Sequence, residues 1–190
     1  MKRTLFIMLK EPRPGRVKTR LGRDIGVIPA TWWFRHQSAR LIRRLRDPRW
    51  QIVLAVAPDT AAASKAWPAD LPRLPQGGGD LGQRMKRMLR AAPGSACLIG
   101  ADIPGITRAH IARAFAALGG HDAVFGPAAD GGYWLVGAKH PSRLPKGMFE
   151  NVRWSSEHAL ADTLNTLPGW RIALTDTLKD VDTAADLPQR

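Results

Sequence analysis

Apolar residues in this chain come in short unbroken runs, not in alternation with polar ones. Thr4–Leu9 (TLFIML), Gln51–Ala57 (QIVLAVA) and Ser95–Gly100 (SACLIG) are each of strand length and lack a polar face. That pattern marks strands covered on both sides. Between the runs, apolar positions recur at helical spacing: Phe34, Leu41, Ile42 and Leu45 within Ala30–Arg46, and Leu81, Met85, Met88 and Leu89 within Leu81–Ala92. Thr107–Leu118 reads as a helix with Thr107 as its N-cap. Asp122–Gly126 and Tyr133–Gly137 read as short strands around a glycine turn, Ser155–Leu167 as a helix, Arg171–Leu174 as a strand, and Thr183 as the start of a short last helix. Pro72 and Pro75 weaken any strand ahead of Gly77. Buried strands separated by helices predict an α/β fold, a mostly parallel sheet with helices on both faces. Ligands of such sheets sit beyond the carboxyl ends of the strands, so the loops leaving those ends carry the functional question.

Length and composition narrow the picture a little. The chain has 190 residues, expected to form one domain over residues 1–190. No apolar run approaches the ~20 residues of a membrane span. After Met-Lys-Arg only six uncharged residues precede Lys10, fewer than the ~7–15 of a signal-peptide core. Cys97 is the only cysteine, which excludes an internal disulfide and suits a reducing cytoplasm. The net charge is +13. A field of that sign draws phosphate-rich ligands, whether nucleotides, nucleic acid or anionic membrane, although biased usage of Ala, Arg, Gly and Pro also yields a basic solvated surface.

Where the charge concentrates is more telling. Lys10, Arg13, Arg16, Lys18 and Arg20 crowd the loop KEPRPGRVKTRLG directly after the first strand. Gly15 lets backbone approach a ligand, and Lys18 and Arg20 suit diphosphate or triphosphate oxygens; Arg16 is expected on the solvent side. In GADIPG (Gly100–Gly105), Asp102 follows a buried strand, a good position for a Mg²⁺ ligand and also for an Asp that bonds its own turn. KDVDTAAD (Lys179–Asp186) holds three carboxylates; a helix cap at Asp182-Thr183 uses one and leaves others for metal. In PAADGGYWLVG (Pro127–Gly137), Gly131 and Gly132 permit a tight turn or a close ligand, and Tyr133 and Trp134 suit either an acceptor pocket or the core.

Other chemistries lack their signatures. Gly77-Gly78-Gly79-Asp80-Leu81-Gly82 matches G-x-G-x-x-G, but mid-chain and without the strong first strand that a dinucleotide site needs. No Walker A loop or G-x-S-x-G elbow is present. The five histidines lack zinc-ligand spacing, and Cys97 has no C-x-x-C partner. The seven tryptophans form no basic-aromatic stripe, so no specific nucleic-acid partner is expected.

Taken in order, Lys10–Leu21 (KEPRPGRVKTRL), Gly79–Met85 (GDLGQRM), Gly100–Gly105 (GADIPG), Asp130–Gly137 (DGGYWLVG) and Asp180–Leu187 (DVDTAADL) resemble a bacterial family filed as glycosyltransferase-A-like, sometimes as arsenosugar-biosynthesis or selenodomain-associated transferases. The resemblance spans nearly the whole chain. It implies the GT-A fold of nucleotide-diphospho-sugar transferases, a mixed, mostly parallel sheet that binds a nucleotide and Mg²⁺ or Mn²⁺. It also implies roles. Lys18 and Arg20 would hold phosphates, with Lys10 and Gly15 beside them, and Gly79, Asp80 and Gly82 would lie near the nucleoside. Asp102 would bind metal, joined by Asp182 or, in its stead, Asp180. Asp130, Gly131, Gly132 and Tyr133 would border the acceptor.

Two departures from the wider superfamily stand out. Where many GT-A glycosyltransferases have D-x-D, this chain has Asp102-Ile103-Pro104, and the glycine-rich G-x-G-T-R opening of nucleotidyltransferases is replaced by the proline-rich basic loop. The expected activity is metal-dependent transfer from a nucleotide sugar to a small acceptor, with Lys18, Arg20 and Asp102 as catalytic residues. Nucleotidyl transfer of the guanylyl or cytidylyl kind stays open as the alternative, as does a non-catalytic nucleotide- or nucleic-acid-binding protein.

Overall fold

The computed structural model describes residues 2–179, 181 and 183–186. The chain runs β1 (Arg3–Lys10), α1 (Thr19–Ile25), α2 (Val27–Arg44), β2 (Gln51–Ala57), β3 (Arg73–Pro75), α3 (Leu81–Arg90), β4 (Ser95–Gly100), α4 (Arg108–Ala117), β5 (Ala123–Pro127), β6 (Tyr133–Ala138), α5 (Ala159–Asn165) and β7 (Ile172–Leu174). The strands form one seven-stranded sheet in the order β3-β2-β1-β4-β6-β5-β7. Only β6 opposes its neighbours; β1, β2, β3 and β4 are mutually parallel, as are β5 and β7. This is the mixed, mostly parallel sheet expected from the sequence.

Strand periodicity sorts the core into two layers. Leu5, Ile7 and Leu9 of β1, with Ile52 and Leu54 of β2 and Ile99 of β4, pack against Leu41 and Ile42 of α2 and Ile111 and Phe115 of α4. Phe6, Val53, Leu98 and Phe125 take the other face, under Met85, Met88 and Leu89 of α3. Both faces are covered, which is why the strand sequences show no polar alternation. Cys97 lies in this core, where burial pushes its thiol pKa far above the ordinary range.

Helix starts follow local chemistry. Asp80 accepts from the Gln83 amide and the Gln83 side chain from the Asp80 amide, a capping box; Thr107 and His110 do the same for α4. Other expectations shift. The basic loop runs into α1, which Gly22 obscures in the sequence. The helix expected from Ala30 begins at Val27. Residues Arg73–Pro75 do form a strand despite two nearby prolines, because β3 is an edge strand paired only with β2. The helix expected from Ser155 starts at Ala159, since Ser155 adopts φ +58° and breaks the regular path. The last element is a 3₁₀ turn, Ala184–Asp186, with the Thr183 amide and hydroxyl both donating to Asp186. Asp180 and Asp182 lie outside the described residues. Among the described residues no helix is long and apolar enough to cross a membrane.

Leu54 is fully buried at the centre of the first layer. Leu54→Ala should therefore cost about 2–5 kcal/mol, measured by urea unfolding; a loss below ~1 kcal/mol would mean that this layer is loosely packed.

Candidate active site

Connections from β1 lead by α1 and α2 to β2 on one side, whereas β3 leads by α3 to β4 on the other. The direction of winding therefore reverses between β1 and β4. Their carboxyl ends diverge there and open a crevice, the usual ligand site of such sheets. β1 and β4 run parallel with Met8 opposite Gly100, so the basic loop and the GADIPG loop must leave the same edge side by side.

Across that edge the Lys18 ammonium lies 3.1 Å from Asp102 Oδ2 and donates to the Val181 carbonyl at 2.6 Å. Lys18 is the N-cap residue of α1 and sits in the left-handed region, φ 46° and ψ 50°. That conformation costs a non-glycine residue about 1–2 kcal/mol. The Lys18 side chain is 7% exposed and that of Asp102 is 39% exposed. The lysine is thus packed into the wall and the carboxylate still meets solvent. Arg44 holds the Asp102 loop from beneath, donating to the carbonyls of Pro104 and Ile106, and the Val181 amide donates to the Asp102 carbonyl at 3.3 Å.

A cleft of about 1000 Å³ opens over this pair, at the upper end of small-ligand sites. Lys10, Arg16, Lys18 and Arg20 line its β1 side, Asp102 its floor, and Asp130, Gly132 and Tyr133 its far side. Three loops singled out in the sequence therefore meet at one place. Arg16, expected to face solvent, is exposed and yet borders the cleft. Asp130 Oδ1 accepts from the Gly132 amide at 3.0 Å, an Asx turn. Gly131 has φ +84°, and a Cβ there would stand 2.2 Å from the Glu157 carbonyl oxygen, so glycine brings this turn against residues 155–159. Tyr133 is half-buried, its hydroxyl accepting from Thr163 Oγ1 at 3.3 Å, and desolvation raises its pKa far above the ordinary value. Trp134 borders the cleft and anchors its indole N–H on the Asp176 carbonyl at 2.8 Å.

The glycine-rich stretch before α3 is arranged differently. Gly15, Gly79, Asp80 and Gly82 do not border the cleft. Asp80 is committed to the capping box. A Cβ on Gly82 would meet Phe149 at 2.5 Å and Trp154 at 2.9 Å, so this glycine serves packing. Arg87 ties down the preceding turn through the carbonyls of Gln76 and Gly78. Leu81 and Arg84, one helical turn apart, reach the cleft instead.

Sequence reasoning also missed Trp154, Ser156 and Glu157, which form part of the far wall. Ser156 and Glu157 were hidden inside the expected helix Ser155–Leu167 and Trp154 stood just ahead of it; the signal was a polar WSSE run too irregular for a helix. Phe149, Asn151 and Ser155 in this segment all have positive φ. Non-glycine residues rarely do, and such strain gathers at ligand sites. The segment is fastened by Arg153, whose guanidinium grips Asp162 at 2.8 and 2.9 Å while its amide donates to the same carboxylate at 3.0 Å.

Sheet order, crevice and loop placement together define a nucleotide-diphospho-sugar transferase fold. The chain belongs to the family described as "uncharacterized protein conserved in bacteria (DUF2064)", whose model matches residues 41–156. It is similar to a crystal structure from Desulfovibrio desulfuricans G20 provisionally named a nucleotide-diphospho-sugar transferase, with 28% identity, TM-score 0.85, and coverage of 96% of this chain and 84% of that one. Its fold is also like that of 4-diphosphocytidyl-2C-methyl-D-erythritol synthase from Anaerococcus prevotii (10% identity, TM-score 0.60, 97% and 94% covered). The manganese complex of Rv0371c from Mycobacterium tuberculosis shares the fold too (14% identity, TM-score 0.57, 98% and 96% covered). No curated protein matches the chain. The Desulfovibrio protein carries a transferase name, and the two more distant structures share the fold.

The Arg153 hydrogen bonds, from side chain and backbone, hold the Asp162 carboxyl well below the usual carboxylate range. A lowered folded-state pKa contributes stability above the unfolded value, near 3.9 for Asp. That contribution fades as pH falls through the folded value. Asp162→Asn should therefore melt lower than wild type at pH 7, with the gap closing in strong acid. Melting curves across the acid range test this; a gap independent of pH would contradict the ion-pair origin.

Proposed function

We propose that the chain is a divalent-metal-dependent transferase that moves a glycosyl group from a nucleotide sugar to a small acceptor. The observation carrying the reading is a solvent-reaching strand-end carboxylate, Asp102, set among Lys10, Arg16, Lys18 and Arg20 at the switch point. Among the described residues no three His, Cys, Asp or Glu side chains gather into a metal site. That suits Mg²⁺, which takes one or two carboxylates and completes its shell with phosphate oxygens and water. The residue to hold it is Asp102; Asp182 and its substitute Asp180 remain proposals outside the described residues. A manganese-bound fold neighbour supports such a use. Bound there, the metal would offset charge on the leaving diphosphate.

The protein's own groups do the rest. Lys18 neutralises and orients Asp102, so the carboxylate stands ready at little reorganisation cost. Arg20, with Lys10 and Arg16, faces the phosphates; its planar fork suits paired phosphate oxygens. Asp130 to Tyr133, backed by Trp154 and Glu157, shape the acceptor side. Gly79 to Gly82 support α3 and place Leu81 and Arg84 at the nucleotide end. Positioning and charge stabilisation suffice for chemistry of this kind. Four cations on one wall also suit a triphosphate, which favours nucleotidyl transfer as the second reading.

Melting shifts with nucleoside diphosphates, triphosphates and nucleotide sugars, each with and without Mg²⁺, test the reading. A nucleotide sugar with Mg²⁺ should stabilise wild type, and Asp102→Ala should abolish the Mg²⁺-dependent part, each shift being read against that protein's own unliganded melting temperature, which falls in the variant because buried Lys18 loses this partner. Arg20→Ala should weaken binding by about 1.5–3 kcal/mol, as for hydrogen bonds to charged groups. Mass spectrometry after incubation with pooled donors and cell-extract metabolites then separates the reactions. A released nucleoside diphosphate supports glycosyl transfer, and pyrophosphate with a nucleotidylated metabolite replaces it with the second reading.

A further inference from the structure

Lys10–Arg44, from the end of β1 to the end of α2, carries ten Lys and Arg against two acidic residues, eight of the thirteen net charges of the chain. The proposed phosphate site accounts for only the first part of this run. Beyond it, at the corner between α1 and α2, the side chains turned to water are apolar: Val27 is 47% exposed, Ile28 55% and Trp32 58%. Single exposed apolar residues are ordinary, but three within two turns of one helix make a patch. Ile28, Trp32 and Arg35 follow one another at i, i+4 and i+7, a stripe on the face opposite the buried Ala30, Phe34 and Leu41. Trp32 is braced for exposure: its ring stacks on His36 at 5.5 Å between centroids, and the His36 Nδ1 lies 2.8 Å from the Trp32 carbonyl.

The rim of the patch is cationic. Arg20, Arg23 and Arg35 are exposed around it. The one acidic residue nearby, Asp24, is exposed too, but its carboxylate is engaged, accepting from the Ala184 amide at 3.0 Å. A bilayer rich in anionic lipid matches this surface on both counts. Basic side chains near such a bilayer are drawn to its surface potential, and a tryptophan flanked by aliphatic residues is at home at the headgroup boundary. A second copy fits less well, because twofold pairing through the patch would face Arg23 and Arg35 with their own likeness.

We infer that the α1–α2 corner, Val27, Ile28 and Trp32 within a rim of Arg20, Arg23 and Arg35, is a peripheral docking surface for an anionic lipid bilayer. It would lie in the plane of the membrane surface, as amphipathic helices do, without spanning it. Thr19 and Arg20 of α1 and Phe34 of α2 border the cleft, so docking would hold one rim of the cleft against the lipid.

The test is flotation of the full chain with vesicles of phosphatidylcholine alone or mixed with phosphatidylglycerol, at physiological salt. Wild type should float only with the anionic mixture. Ile28→Ser with Trp32→Ser keeps every charge, yet should lower partitioning about tenfold or more, because burying each apolar side chain contributes strongly. Unchanged melting of the double variant confirms its fold. Brominated lipid should quench wild-type fluorescence more than that of Trp32→Phe. Equal partitioning by wild type and the double variant would overturn the inference and leave plain charge adsorption. So would the absence of flotation together with a concentration-dependent dimer that the double variant loses in sedimentation.

Discussion

Everything at this site follows from β1 and β4 being neighbours that run in the same direction. Their register sets Met8 opposite Gly100, which obliges a basic loop and an acidic loop to emerge together. An ammonium packed into the wall would lose hydration without return if it had no acceptors. Asp102 and the Val181 carbonyl supply them for Lys18, which is held in a left-handed backbone conformation at the start of α1. Arg44 and Val181 then clamp the Asp102 loop from below and from the C-terminal segment. The outcome is a charged pair whose lysine is buried and whose carboxylate reaches solvent, an asymmetry that suits an acid meant for a further partner.

The far wall of the cleft is built by different means. Gly131 brings its turn into contact with Glu157, Trp134 is tethered to Asp176, and the Arg153 grip on Asp162 closes the strained segment between them. One wall of the cleft is thus set by strand register and the other by turns and side-chain clasps.

How much of this was legible in the sequence depended on the range of the interactions. Buried strands such as SACLIG announced themselves, because coverage on both faces leaves no polar positions, and Thr107 showed its cap for equally local reasons. Asp102 could be singled out as a strand-end carboxylate, but its pairing with Lys18 spans 84 positions and exists only through the sheet order. Asp80 and Gly82 looked like ligand residues because a helix N-terminus and a nucleotide loop use the same residue types; capping and contact with Phe149 and Trp154 account for them here. Trp154 and Glu157 stayed hidden because the break at Ser155 is a backbone conformation, which helical periodicity cannot show.

On the proposed reading, Asp102 is the point where metal and nucleotide phosphate meet. Crystals soaked with Mn²⁺ and a nucleoside diphosphate put it to the most direct test, because anomalous scattering locates the ion independently of any activity. A manganese peak is expected about 2.0–2.3 Å from an Asp102 carboxylate oxygen, as for hard cations on oxygen ligands, with phosphate oxygens in the same shell and the guanidinium of Arg20 turned toward them. A manganese peak elsewhere, or a nucleotide ordered in the cleft with Asp102 still bound only to Lys18, would contradict it.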